Sequence, residues 1–280
     1  MKKAIVLLLL SFIFIRPGSA EGQARQRNEE IYAPTNIRWA TQEDFDGTSL
    51  TFCRGYYEQN RQEQDVWGWY VDYPGADHNL LVRLSELTKT RIRRDASGQP
   101  VYVVVRLDSP LIFNCPVLFL SDVSTIGLTD NEVKNLRLYF DKGGFMWVDD
   151  FWGSAGWNHW EAQIRRVLPD IFFPMIDIAE DHPIRNQLFN IPKILQIPHV
   201  GFWLYYEGKQ TSERGDDSRE VHFRGIEDDR GRLIVVMTHN TDIGETWERE
   251  GADPTGAFFY AVSPFGYSLG INIFLYALTH

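Results

Sequence analysis

The chain is expected to fold as an α/β domain around a mostly parallel, doubly wound sheet. Three observations predict this. Strand-like and helix-like patterns alternate from residue 45 to residue 280, the order that parallel strands require, because each return to the same edge needs a crossover. Phe145-Met-Trp-Val148 is apolar at every position, as in a strand covered on both faces. The segment before it carries a full set of helix signals. Thr129-Asp-Asn-Glu132 is a capping box, Val133, Leu136 and Phe140 form a stripe, and Gly143-Gly144 is a stop.

The elements follow in order. Lys2 and Lys3, the apolar run Ala4 to Ile15 and the small residues Gly18-Ser19-Ala20 read as a secretory signal peptide over residues 1–20, too short for a membrane span. Residues 21–44 are polar and aperiodic, a tail ahead of the domain at 45–280. Leu50 to Cys53 is a short strand ending at Arg54-Gly55-Tyr56. An aromatic stretch, Trp67-Gly-Trp69-Tyr-Val-Asp72-Tyr-Pro74-Gly75, leads into a helix with Asp77 as N-cap and Leu80, Leu81, Leu84, Leu87 and Thr88 inward. Val101 to Val105 and Val117 to Leu120 are strands, the second stopping at Ser121-Asp122. Phe145 to Val148 ends in Asp149-Asp150. A third helix runs from Trp157 to Leu168, stopped by Pro169.

Further on, Val200 to Tyr206 and Leu233 to Met237 read as strands, with a charged loop or hairpin over residues 208–231 between them. Its Arg214-Gly215-Asp216 carries almost no information. Ser263-Pro264 caps a last apolar segment of about fourteen residues through Leu278, below the roughly 20 needed to span a bilayer and so a buried helix. Gly266 and Gly270 would let it lie close to the sheet.

Of 28 basic residues, Lys2, Lys3 and Arg16 lie in the leader, leaving 25 against 38 acidic residues. Such a surface repels phosphate backbones and anionic lipid, so nucleic acid is excluded as a partner, and no membrane span is expected after leader removal. The expected location is periplasmic or secreted. Export permits a disulfide between the two cysteines, Cys53 and Cys115. Their places, late in one strand and ahead of another, would offset them by roughly 10 Å along the strand axis, beyond the bridging limit of about 7 Å. Two unbridged thiols are therefore expected.

Doubly wound sheets place function beyond the carboxyl ends of their strands. Arg54, Tyr56, Asp122, Asp149, Asp150, His239, Asn240 and Asp242 fall there, and the aromatic loop leaves the same edge. Asp149 and Asp150 are the leading catalytic candidates, able to act as a base or hold a hydroxyl, and only one should face the crevice because strand side chains alternate. His182, after Glu180-Asp181, and His239 are candidate acid/base partners; as surface or turn residues they would be ordinary. His78 and His159 sit near helix starts. Trp69, Asp72, Trp152 and Asp242 are candidate ligand-binding residues, with Trp67 beside them, the rings offering stacking faces. Trp147, Trp157 and Trp160 read as core. No metal motif, nucleophile elbow, P-loop or dinucleotide fingerprint occurs, so no cofactor is expected. A scattered metal site from Asp149, His239 and Asp242 is the weaker reading.

The blocks "WGWYVDYPGADHNLLVRLSELT", "GGFMWVDDFWG", "HPI", "THNTDIGETWE" and "LGINIFLYALTH", in this order over residues 45–280, resemble a bacterial family known as a domain of unknown function, number four-one-five-nine. "GGFMWVDD" and "HPI" are also similar to blocks of trehalose-utilisation-type relatives. The resemblance implies a class I glutamine-amidotransferase-like fold, a flavodoxin-like three-layer sandwich. It also implies a cysteine nucleophile in a G-x-C-x-G turn after Phe145 to Val148. This chain has Asp149-Asp150 there, and Cys53 stands on another strand. Without that thiol the glutaminase mechanism has no nucleophile. The expected function is therefore an exported, non-catalytic binding or accessory module with an acidic, aromatic crevice. Its partner would be a polar small molecule, a glycan or a protein. The alternative is a hydrolase of carbohydrate or amide using an Asp/His pair, with or without a metal.

Overall fold

The computed structural model describes residues 34–64, 66–250 and 255–280; the expected leader, and residues 21–33 of the tail, lie outside them. Nine strands are described: β1 (Phe52–Tyr56), β2 (Glu58–Gln59), β3 (Tyr102–Arg106), β4 (Val117–Ser121), β5 (Ile126–Gly127), β6 (Phe145–Phe151), β7 (Met175–Asp177), β8 (His222–Glu227) and β9 (Leu233–His239). The α-helices are α1 (Gly75–Leu87), α2 (Asp130–Asp141), α3 (Gly153–Val167), α4 (Val200–Tyr205), α5 (Glu245–Glu248) and α6 (Ala257–Thr279).

Seven strands form one sheet in the order β3-β1-β4-β6-β9-β8-β7. The first five are parallel and the last two antiparallel. Counted among themselves, the parallel strands run 2-1-3-4-5, a doubly wound order whose direction reverses between β1 and β4. Alternation along each strand feeds two cores. Leu118, Leu120, Met146, Val148 and Met237 pack with Val133 and Leu136 of α2 and Trp160 and Ile164 of α3. Val117, Phe119, Phe145, Trp147 and Val236 pack with Leu80 and Leu84 of α1, Trp247 of α5 and Ile271 and Phe274 of α6. The result is a three-layer α/β sandwich. Before β1, Trp39 bridges to Val104, so residues from Asn36 onward belong to the domain.

The Thr129–Glu132 capping box is present, with the Thr129 hydroxyl accepting from the Glu132 N–H at 3.2 Å. Other expectations need correction. Val200 to Tyr206 is not a strand but a short helix. Its high β-propensity is overridden because the His199 ring accepts from Gly201 N–H and Glu245 accepts from Val200 N–H, fixing a helical start. The strand lies later, within the charged segment, as β8. Asp77 is not the N-cap: the helix begins at Gly75, and Asp77 points into the core. The third helix starts at Gly153, four residues early. The last helix runs over 23 residues with Pro264 inside it. By length and composition α6 could cross a membrane, yet 61% of its most apolar window is buried in the domain. Gly266 and Gly270 admit Thr246 and Trp247 of α5 rather than the sheet.

The cysteines are bridged, Cys53 to Cys115 with Cα atoms 5.9 Å apart. The offset expected along the strand axis does not exist, because Cys115 is not an extension of β4. A 3-10 turn, Pro110–Asn114, ends on it and folds it back over β1.

Candidate functional site

Three adjacent strands carry a left-handed residue at or just past their carboxyl ends: Asp122 after β4 (φ 55°), Asp150 in β6 (φ 54°) and Asn240 after β9 (φ 62°). Asp72, in the loop before α1, shares this conformation (φ 62°). Asp and Asn tolerate it best among residues with a Cβ, since their short polar side chains bond locally. In β6 the turn coincides with a register shift between Val148 and Phe151, which sends Asp149 and Asp150 to different tasks.

Asp149 faces inward. It accepts from the Thr238 hydroxyl at 2.5 Å and from the N–H groups of Ile243 (2.9 Å) and Gly244 (2.8 Å). Burial pushes its pKa up to about 7, while those donors pull it down. It therefore anchors the segment after β9 and has little left for a ligand. Asp150 faces the rim and is partly exposed. One of its oxygens accepts from Trp152 Nε1 at 2.9 Å. Asp242, buried, accepts from Glu245 N–H at 2.8 Å. Asp72 is 6% exposed, and its Oδ2 has no hydrogen-bond partner.

Oxygens of Asp72, Asp150 and Asp242 lie within 4.8 Å of one another. Asp72 forms a second such group with Glu245 and Glu248. All three aspartates are pushed well above the usual carboxylate range. Burial is the largest cause for each. Glu245 and then Asp150 add to it at Asp72, Asp122 and Glu213 at Asp150, and Asp150 and Asp72 at Asp242. Oxygen-only donors suit a hard cation or a protonated amine, not a soft metal.

Two clamps place Asp72. Asp122 accepts from Trp67 N–H (2.6 Å) and Gly68 N–H (2.7 Å). Arg54 of β1, fully buried, donates to the carbonyls of Trp69 (3.1 Å) and Val71 (2.9 Å) and pairs with both oxygens of Asp77. The aromatic loop is thus pinned across the carboxyl edge near the strand-order reversal.

The expected aromatic wall is packed inward instead. Trp69 is 7% exposed and surrounded by Tyr56, Tyr70 and Tyr73. Trp152 is buried too, its N–H orienting Asp150; neither ring offers a stacking face. Trp67 is the open one, at 45% exposure. His239 does not reach the carboxylates: its Nε2 meets Gly153 O at 3.1 Å and its ring packs on Phe151, Trp157 and His222. His182 is at the opposite end of the sheet. It lies against Tyr276, whose hydroxyl accepts from the N–H of Leu233, the first residue of β9. The scattered metal set of Asp149, His239 and Asp242 is therefore not assembled.

Sequence reasoning missed Glu245, Glu248 and His199, whose Nε2 is 3.8 Å from Glu245 Oε1. A signal existed: Asp242, Glu245 and Glu248 recur every third residue, which places carboxylates on one side of a helical turn. Surface grooves of about 530 and 970 Å³ open at the amino ends of the strands and contain none of these residues.

The model of a family described as "Domain of unknown function (DUF4159)" matches residues 62–278. No curated protein matches the sequence.

Proposed function

The chain belongs to this family, and from that premise we propose that it is an exported ligand-binding or accessory module whose strand-end carboxylates hold a positively charged group. The observation that carries this reading is the Asp72–Asp150–Asp242 cluster. Among the described residues no lysine or arginine forms an ion pair with any of the three. Arg54 and Arg249 act on Asp72 only at longer range, Arg54 being paired with Asp77 and Arg249 with Glu245 and Glu248. Carboxylates gathered in a partly buried site without a directly paired cation are costly unless protons or a bound cation neutralise them.

Two further facts support a holding rather than a cutting role. Both cysteines are consumed in the bridge, so the thiolate that class I amidotransferase chemistry needs cannot form while it stands. The residue at the left-handed turn of β6 is Asp150, a carboxylate where the resemblance implies a thiol. The leader-like opening and the buried disulfide support export. The Asp/His hydrolase alternative draws no support from His182 or His239, which lie away from the cluster.

The test is a thermal-shift panel of putrescine, spermidine, lysine and arginine methyl esters, glucosamine and divalent metal chlorides, run on wild type and on Asp150→Asn. At least one cation should raise the wild-type midpoint by several degrees and leave the variant unmoved. Equal responses of the two proteins across the panel would overturn the reading.

A further inference from the structure

We propose that Asp72, Asp150 and Asp242 form a binding site for one hard divalent metal ion of the calcium and magnesium class. This deepens the reading above, because it names the cation and uses the same pocket.

The donor set fits. All three ligands are carboxylates, and neither sulfur nor imidazole enters the cluster, which selects against zinc and copper. At metal–oxygen lengths of about 2.0–2.6 Å, ligands on opposite sides of an ion stand no more than about 4–5 Å apart. The cluster oxygens lie within 4.8 Å of one another, close enough for one ion to reach all three.

The site is also built in advance. One oxygen of Asp150 and one of Asp242 is held by an N–H donor, which fixes the carboxylate planes and leaves the other oxygens available. Asp72 supplies the independent pointer to a ligand: it is 94% buried by its 6% exposure, and its Oδ2 has no hydrogen-bond partner and lies beside Gly244, on the side that Asp242 Oδ1 also faces. Buried polar atoms are otherwise almost always satisfied. Asp72 is held there by its left-handed backbone and by the Asp122 and Arg54 clamps on the loop around it. Space beside it is kept by Gly244, where a Cβ would overlap Asp72 Oδ2. Behind it, Asp149 ties down Ile243 and Gly244, as outer ligands of metal sites commonly do. Asp150, partly exposed, gives an entry path.

The experiment uses the mature chain freed of metal with chelator. Calcium, magnesium, manganese and zinc chlorides are titrated by calorimetry, and terbium binding is read as luminescence excited through tryptophan, since Trp152 touches Asp150. One calcium or magnesium ion per chain should bind, displace terbium and raise the melting midpoint. Asp72→Asn and Asp242→Asn should weaken binding at least tenfold while melting close to wild type without metal, because asparagine keeps the size of the side chain and an accepting oxygen while removing an anionic ligand. If either variant fails to fold, Asp150→Asn at the rim gives the same readout. Absence of calcium and magnesium binding, or equal affinity in wild type and variants, overturns the inference. Binding of an organic cation that Asp150→Asn abolishes, with no metal bound, overturns it and leaves the broader reading standing; failure of every cation removes both.

Discussion

Arg54 and Asp77 offer the sharpest test of how this site is held. Both side chains are fully buried, and Arg54 also serves the carbonyls of Trp69 and Val71. Replacing Arg54 by Met keeps the volume but leaves Asp77 charged without a partner inside the protein. Breaking one half of a buried pair typically costs about 3–5 kcal/mol, against about 1 kcal/mol or less for an exposed pair such as Lys209–Glu207. The two carbonyls also lose charged donors, worth roughly 1.5–3 kcal/mol each where no water replaces them. Arg54→Met is therefore expected to cost at least about 3–5 kcal/mol in urea unfolding, roughly 6–20 °C in melting midpoint for a domain of this size. Arg54→Met/Asp77→Leu should recover at least about 2 kcal/mol of that, because no lone charge remains. A single variant within about 1 kcal/mol of wild type, or a double variant whose cost equals the sum of the singles, would refute the argument.

Other outcomes follow from the same coordinates. The bridge closes a separation of 62 residues, so Cys53→Ala/Cys115→Ala should lose about 4 kcal/mol by loop entropy; a loss under about 1 kcal/mol would show that the unfolded chain is little constrained. His239 is held near pKa 4, mainly by burial, against an ordinary 6.5. Below 6.5 the unfolded chain takes the proton first, so stability contributed by the neutral ring falls as pH drops from about 6.5 to about 4, by about 3 kcal/mol. Wild-type and His239→Gln stability curves should converge over that window, and parallel curves would sink the assignment. Thr129→Ala should cost about 1 kcal/mol through loss of the α2 cap, measured by urea unfolding; no change would mean that water replaces the hydroxyl.

Much of the fold was readable because local chemistry agreed with global structure. The Thr129 capping box, the all-apolar Phe145 to Val148 and the Leu80–Leu84 stripe each occupy the place their pattern implies. Failures arose where tertiary contacts overrode pattern. Val200 to Tyr206 has a strand's composition but is wound by Glu245 and His199. Cys115 was displaced by a turn that no periodicity announces. Pro264, a sound helix start in isolation, is carried inside α6. For the site, the strand-end rule named Asp150, Asp242 and the loop of Asp72, whose carboxylates the fold brings together. Sequence could not show that Trp69 and Trp152 turn inward, that Asp149 is spent on backbone N–H groups, or that Glu245 and Glu248 join Asp72. Those depend on left-handed turns whose direction one residue type alone does not specify.

The left-handed aspartates carry a consequence for anyone dissecting this rim by mutagenesis. An alanine scan would confuse two effects, since alanine at φ near +55° is penalised by roughly 1–2 kcal/mol of backbone energy besides losing its charge. Asparagine tolerates the bend while removing the anion, and glycine keeps the bend while removing the whole side chain. Comparing those two at Asp72, Asp122 and Asp150 separates what the charge does from what the shape does.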